Sequence, residues 1–117
     1  MNARASVAFL IFATAFAASS QAAESADIQR GREVYQYWCT ACHGFGPMKP
    51  GTVALQTKYN GTKPAMLEER TDLTPELTKY FVRNGVTVMP PFRKTEIGDA
   101  DLKALAAYLA RPRKLRR

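Results

Sequence analysis

Apolar positions after about residue 25 recur at spacings of three and four, which is the periodicity of one face of a helix. The first such segment runs from about Ala26 to Cys42. Ser25 or Asp27 can cap it, because a short polar side chain at that place accepts from the first free amides. Val34 and Trp38 stand four apart within it. We therefore expect one continuous N-terminal helix.

Further along the chain, three more segments carry helix signals. A short helix is expected near Pro64 to Glu69. The next begins at Pro75 behind the cap Thr74 and stops at Gly85. Its apolar stripe comprises Leu77, Tyr80 and Phe81. A final helix starts near Asp99. Its apolar face comprises Leu102, Leu105, Ala106 and Leu109. No segment alternates strongly as a strand would, so the pattern predicts an all-α domain.

Two of these helices also carry a clue to topology. Gly31 and Tyr35 are four apart on the first helix, whereas Leu105 and Tyr108 are three apart on the last. Glycine lets two backbones approach closely, so we expect these two helices to cross at these residues. Their role there is packing and not chemistry.

The N-terminal stretch has the layout of a secretory signal. Arg4 precedes the apolar run Val7 to Ala18, and small residues follow it. A run of 12 residues is too short to serve comfortably as a permanent membrane anchor. We expect residues 1–22 to be removed by cleavage near 22/23, which makes the mature protein periplasmic. Residues 24–110 then form one domain, and residues 111–117 form a basic tail.

Charge is distributed unevenly along the chain. The net charge is +7 overall, but residues 24–110 hold 11 basic against 10 acidic side chains. The tail RPRKLRR contributes 5 positive charges. Nucleic acid is not expected as a partner of an exported protein. We interpret the tail as a solvated end, with a guide toward an acidic protein or membrane surface as the alternative.

Chemistry is concentrated in the stretch YWCTACHG, which holds both cysteines and the one histidine of the chain. Structural zinc usually takes four Cys or His ligands, and only three occur here. A thioredoxin-type redox pair would need a βαβ context, and a disulfide between Cys39 and Cys42 would close only a tiny loop. C-x-x-C-H is the signature of c-type haem attachment. We therefore predict that Cys39 and Cys42 bind one haem c covalently.

The histidine that follows Cys42 is placed to bind the haem iron as the proximal axial ligand. The second imidazole nitrogen of His43 should donate to a backbone carbonyl, which would fix the tautomer and the plane of the ring. Pro47 and Pro50 are the candidate carbonyls, and Pro50 is preferred. Both prolines also turn the loop GFGPMKPG.

No other histidine or cysteine remains for the second axial face of the iron, which leaves a methionine, a lysine, water or an open site. Three methionines are candidates. Met48 lies five residues from His43 and would have to reach around the ring, and Met66 precedes an expected helix. Met89 lies in the extended segment NGVTVMPPF, stiffened by Pro90 and the proline after it. A lone methionine often only fills a core. With a haem present, however, Met89 is the predicted sixth ligand.

The C-x-x-C-H motif after an N-terminal helix, the Met-Pro loop and the C-terminal helix together resemble a small class I bacterial cytochrome c. The stretch Lys58 to Leu109 is similar to the cytochrome subunit of p-cresol methylhydroxylase and related alkylphenol or eugenol hydroxylases. This resemblance implies a flavocytochrome. A separate flavoprotein subunit carrying FAD would oxidise a para-alkylphenol and pass single electrons to this haem. It also implies Cys39 and Cys42 as the attachment sites, with His43 and Met89 as axial ligands.

Methionine ligation also bears on function, because an enzyme or gas sensor needs an open position on the iron. With both axial positions filled, we expect an electron carrier that is not catalytic alone and that delivers electrons to a downstream periplasmic acceptor. The methionine thioether should raise the reduction potential. A free periplasmic shuttle is the alternative to a flavoprotein subunit, and a haem enzyme or sensor is a further one. Phe92 and Arg93 could contact the partner, or could equally be a packing residue and a solvated charge.

Overall fold

The computed structural model describes residues 25–112, so the predicted signal segment and most of the basic tail lie outside the described residues. The chain forms helix α1 over residues 25–38. The helices that follow are α2 (Thr40–His43), α3 (Pro50–Tyr59), α4 (Pro75–Asn84) and α5 (Asp99–Ala110), with a 3-10 helix at Leu67–Glu69. The described residues contain no strand, only an isolated bridge between Val86 and Met89. The predicted all-α class is confirmed.

The N-terminal helix differs in two respects from the expected one. It breaks at Cys39, which forms a turn, and α2 then continues to His43. Its helical span already includes residue 25, so Asp27 lies inside the helix and not at its cap. Hydrogen bonds still cross the break, because the amide of Cys39 donates to Tyr35 at 2.9 Å and that of His43 donates to Cys39 at 2.8 Å. The chain bends at Cys39 without losing its helical bonding.

Helix α3 is the element that the sequence pattern missed. Pro50 occupies its first turn, where the absent amide costs nothing, but its apolar and polar residues do not separate onto two faces. The periodicity signal is therefore weak. Conversely, the helix predicted near Pro64 to Glu69 is wrong except for the single 3-10 turn Leu67–Glu69, because Met66 and Arg70 on either side have extended backbones.

Helices α4 and α5 agree with the sequence pattern. The Thr74 hydroxyl accepts from the amide of Leu77 at 3.2 Å, which confirms the predicted cap. Gly85 follows α4 with a φ of 68°. One member of the predicted stripe on α4 was wrong, because Tyr80 is 59% exposed. The predicted apolar face of α5 is buried in full.

The crossing of α1 and α5 occurs at the predicted glycine. A Cβ added at Gly31 would lie 2.6 Å from Cβ of Tyr108, and it would also meet the backbone of Ala104. The rings of Tyr35 and Tyr108 lie 5.9 Å apart between centroids. Contact with Tyr108 is thus confirmed, and Ala104 takes the place expected for Leu105 against the glycine. Close approach of the two backbones fixes how the terminal helices pack.

The core lies between α1, α4 and α5, beside the segment that leads into α5. Its largest fully buried side chains are Tyr35, Ile97 and Leu105. Trp38, Met89 and Phe92 pack against its edge while remaining partly exposed. None of the helices described for residues 25–112 combines the length and apolar character that crossing a bilayer needs.

Candidate haem site

The two cysteines lie at the bend between α1 and α2. Cys39 is half-buried and Cys42 is exposed, and the two thiols do not form a disulfide. Burial, with a smaller contribution from the nearby Cys42, raises the pKa of the Cys39 thiol to about 12. In the chain by itself Cys39 is therefore a protonated thiol at neutral pH.

His43 ends α2, with its imidazole packed against the start of α3. A Cβ added at Gly51 would lie 2.9 Å from Nδ1 of His43, so only glycine leaves room for the ring. Burial lowers the pKa of His43, which favours the neutral imidazole that binds metals. Nδ1 is buried and has no hydrogen-bond partner in the described part of the chain.

The predicted hydrogen bond from this ring to the carbonyl of Pro47 or Pro50 is therefore wrong. Pro50 is the first residue of α3. Carbonyl groups in the first turn of a helix point along its axis and accept from later amides. The Pro50 carbonyl is therefore directed along α3.

The backbone around His43 is held by two hydroxyl groups instead. The hydroxyl of Tyr35 donates to the carbonyl of His43 at 2.9 Å, and the hydroxyl of Thr52 donates to the carbonyl of Gly44 at 2.9 Å. Sequence reasoning missed both bonds. Their one sequence signal is a polar side chain eight residues from the acceptor, which no local periodicity singles out. Together they tie the end of α2 to both α1 and α3.

Met89 lies at the end of a tight turn after α4. The amide of Val86 donates to the carbonyl of Met89 at 3.0 Å, and the amide of Met89 donates back at 2.9 Å. Thr87 has a φ of 50°, and Gly85 has a φ of 68°. A Cβ at Gly85 would lie 2.9 Å from the nitrogen of Pro91, so the turn folds closely over this glycine. We call residues 85–92 the Met89 loop.

Cys39, His43 and Met89 line one cleft of about 380 Å³. Its walls are mainly apolar. The apolar residues that line it are Leu55, Leu67, Leu73, Leu77, Phe81, Val82, Val86, Leu105 and Leu109. The imidazole comes from the N-terminal half and the thioether from the Met89 loop. The structure thus brings together two side chains that are far apart in sequence and that suit the axial positions of a haem iron.

The other two methionines do not share this cleft. Met48 is 87% exposed. Met66 lines a different cavity of about 640 Å³, together with Phe45 and Pro47. Among the three methionines of the described residues, only Met89 lines the cleft with His43.

A group of basic side chains lies at one edge of the cleft, where sequence reasoning predicted nothing. Lys58, Lys63 and Arg70 stand 5.9, 5.7 and 5.0 Å from the ring centroid of Tyr59. Arg70 is buried and holds Asp72 through two bonds of 2.8 Å, and Lys63 binds the same carboxylate at 2.8 Å. These contacts hold the pKa of Asp72 well below its usual range.

This edge has three cations to one acid, which matches a ligand that carries carboxylate groups. The cleft as a whole therefore fits a haem. Apolar walls suit the macrocycle, the imidazole and thioether suit the iron, and the basic edge suits the two propionates.

Phe92 and Arg93, the expected partner contacts, lie in different surroundings. Phe92 is half-buried, with its ring centroid 5.8 Å from that of Trp38 in an edge-on arrangement. Arg93 has 80% of its side chain exposed and stands 3.6 Å from Glu96. Phe92 therefore packs inside the molecule, whereas Arg93 is available at the surface. A partner contact stays a prediction for both.

Comparison with known proteins gives matches to cytochromes. The family model described as "Cytochrome C oxidase, cbb3-type, subunit III" matches residues 26–109. Cytochrome c6 of Pyropia yezoensis is 29% identical over 109 residues, which cover 93% of each chain. No solved structure gives a significant match.

Proposed function

Because this chain belongs to the c-type cytochromes, in the family described as cytochrome c oxidase, cbb3-type, subunit III, we propose that it is an electron carrier whose single iron is bound by His43 and Met89. One observation supports this proposal above the others. His43 and Met89, from opposite halves of the domain, line the same apolar cleft. A class I c-type cytochrome carries haem c and transfers electrons, and the proposal assigns the residues that do so here.

In this proposal each residue has a distinct task. Cys39 and Cys42 would hold the haem covalently, each thiol adding across one vinyl group to form a thioether, at the bend between α1 and α2. Haem c supplies a one-electron couple when bound. His43 and Met89 would bind the iron through an imidazole nitrogen and a thioether, so the ligand set would stay complete in both oxidation states. The apolar walls exclude water, and the methionine thioether favours the reduced form.

We further propose that the protein works in the periplasm after removal of residues 1–22. This rests on the apolar run of 12 residues followed by small residues, which has the layout of a cleaved export signal. N-terminal sequencing of the mature protein tests it. A mature chain that still begins at Met1 would contradict the proposal.

The proposed electron donor is a flavoprotein subunit with FAD that dehydrogenates a 4-alkylphenol. The resemblance of the stretch Lys58 to Leu109 to the cytochrome subunit of p-cresol methylhydroxylase supports this. A reduced flavin holds two electrons, whereas one haem accepts one at a time. Because electron tunnelling falls steeply with distance, a standing complex makes both transfers efficient. The haem would then pass each electron to a downstream periplasmic acceptor.

Co-expression with a flavoprotein that dehydrogenates a 4-alkylphenol tests this partner. We expect the two chains to elute together in size-exclusion chromatography at micromolar concentration. Rapid mixing with a para-alkylphenol should then reduce the haem after the flavin. The matched control is the same cytochrome mixed with the phenol alone, which should stay oxidised. If the chains elute apart and substrate reduces only the flavin, a free periplasmic shuttle is the better description.

A haem enzyme or gas sensor is the competing class. Carbon monoxide separates the two, because a reduced iron with both axial positions filled binds it poorly. We expect weak binding in the wild-type protein. Rapid and complete binding would instead indicate an open position on the iron.

A further inference from the structure

Arg83, in the last turn of α4, joins three parts of the molecule through one guanidinium. Its Nη1 donates to the carbonyl of Phe92 at 3.1 Å, and its Nη2 donates to Oδ1 of Asp99 at 2.9 Å. The side chain is only 22% exposed. The end of α4, the end of the Met89 loop and the first residue of α5 are therefore connected at this single group.

Phe92 is the point at which the Met89 loop is tied back to α4. Its amide donates to the carbonyl of Val82 at 2.8 Å, while its carbonyl accepts from Arg83. Both backbone groups of Phe92 are thus bound to the same helix. Pro90 and Pro91 connect Phe92 to Met89, and each proline has a fixed φ. Displacing Phe92 would therefore displace Met89 as well.

We propose that Arg83 is a positioning residue that holds Met89 in the cleft and controls how readily the methionine leaves the iron. The inference rests on the proposed function, because it takes Met89 as an axial ligand. Arg83 touches neither the cofactor nor Met89 and acts through Phe92. The planar guanidinium presents its donors in a rigid fork, so two of its nitrogens donate to a carbonyl and a carboxylate in two directions at once.

Lys94 provides a matched control, since it binds the same aspartate. Its Nζ lies 2.8 Å from Oδ2 of Asp99, and 74% of its side chain is exposed. Arg83→Ala and Lys94→Ala remove the same charge and a bond to the same carboxylate. Only Arg83→Ala also removes the bond to the carbonyl of Phe92. A difference between the two variants in methionine ligation therefore reports on the loop.

The experiment uses the full holoprotein and compares wild type with Arg83→Ala, Arg83→Lys and Lys94→Ala. Three quantities are measured: the thioether-to-iron charge-transfer band of the oxidised haem, carbon monoxide binding by the reduced haem, and thermal unfolding. In Arg83→Ala we expect the equilibrium constant for loss of methionine ligation to rise about tenfold, because a hydrogen bond from a charged donor is lost. Lys94→Ala should match wild type in both spectroscopic readouts.

Arg83→Lys keeps the positive charge at the end of α4, and it is the test variant if the alanine variant folds poorly. A lysine carries its three donors on one nitrogen at the end of a flexible stem and lacks the rigid fork that reaches both acceptors, so we expect an intermediate loss of methionine ligation. If either Arg83 variant retains the band and resists carbon monoxide as wild type does, the positioning role is overturned. The role is also overturned if Lys94→Ala weakens ligation as much as Arg83→Ala.

A different outcome bears on the proposed function itself. If the wild-type protein shows no charge-transfer band and binds carbon monoxide as readily as Met89→Ala, then Met89 is not an axial ligand. That result removes the assignment of Met89 and the role of Arg83 with it. If the wild-type protein shows the band and the Arg83 variants leave it unchanged, only the role of Arg83 is removed.

Discussion

The two sides of the cleft present their side chains by different means. On one side, His43 lies one residue from Cys42 and four from Cys39, and its backbone is held by the hydroxyl of Tyr35 from the adjoining helix. On the other side, Met89 has no attachment neighbour in sequence. It depends on a turn over Gly85 and on the bonds that fix Phe92 to α4. The first arrangement is local, whereas the second is tertiary.

This difference indicates which side can open. A histidine directly after two expected covalent anchors cannot leave the iron without the chain segment that carries it. The Met89 loop, in contrast, is closed by hydrogen bonds that can exchange with water. Local openings of a protein draw on segments held in this way. We therefore expect perturbations to affect the methionine before the histidine, and the following predictions test that order.

Removing the attachment residues should have the largest effect. In Cys39→Ala plus Cys42→Ala, haem should separate from the polypeptide during denaturing electrophoresis, because no thioether bond remains. Haem staining of the gel measures it. Cys42→Ala alone should retain part of the stain through Cys39. If wild-type haem also leaves the chain under denaturation, the attachment prediction is wrong.

Met89→Ala should have the next largest effect. Loss of the thioether should lower the reduction potential by part of the roughly 0.8 V range that axial ligands span, and it should open the iron to carbon monoxide. Potentiometric titration and carbon monoxide difference spectra measure these changes. Met48→Ala and Met66→Ala are the controls and should resemble wild type. If Met48→Ala or Met66→Ala lowers the potential and opens the iron to carbon monoxide while Met89→Ala does not, the methionine replaced in that variant is the ligand.

Gly85→Ala should weaken the Met89 loop without removing the ligand. Gly85 and Gly61 both have positive φ values, 68° and 83°, so alanine at either position should cost about 1–3 kcal/mol of unfolding free energy. An added Cβ at Gly61 meets nothing within 4 Å, whereas one at Gly85 meets Pro91 and Met89. Urea unfolding should show both losses. Only Gly85→Ala should diminish the charge-transfer band, and equal bands would contradict the proposed difference.

Tyr35→Phe should have the smallest effect and should act on the histidine side. The lost bond to the carbonyl of His43 should cost about 1 kcal/mol of unfolding free energy. The reduction potential and the charge-transfer band should stay unchanged, since the histidine keeps its covalent neighbours. Tyr37→Phe is the control, because Tyr37 is 78% exposed. A Tyr35 variant as stable as the Tyr37 variant would show that this bond contributes nothing.

Features that depend on neighbours in sequence could be predicted from the sequence by itself. Thr74 and Pro75 start α4 and Gly85 follows it, because caps, prolines and glycines act through their own backbone. The apolar face of α5 was predictable for the same kind of reason, since its spacing repeats within one helix. The cluster of Cys39, Cys42 and His43 also required no tertiary information to be identified as a candidate haem site.

Only the tertiary structure decided which methionine shares the cleft with that histidine. In sequence, Met48, Met66 and Met89 differ in their flanking residues and in their distance from His43, which predicted Met89, whereas in space Met89 alone among them faces the cleft. Contacts of this kind join residues distant along the chain, and no local period encodes the distance between them. The same reason hides Arg83, whose two acceptors belong to segments beyond its own helix. Helix α3 was missed for a local reason, because its residues show no single apolar face.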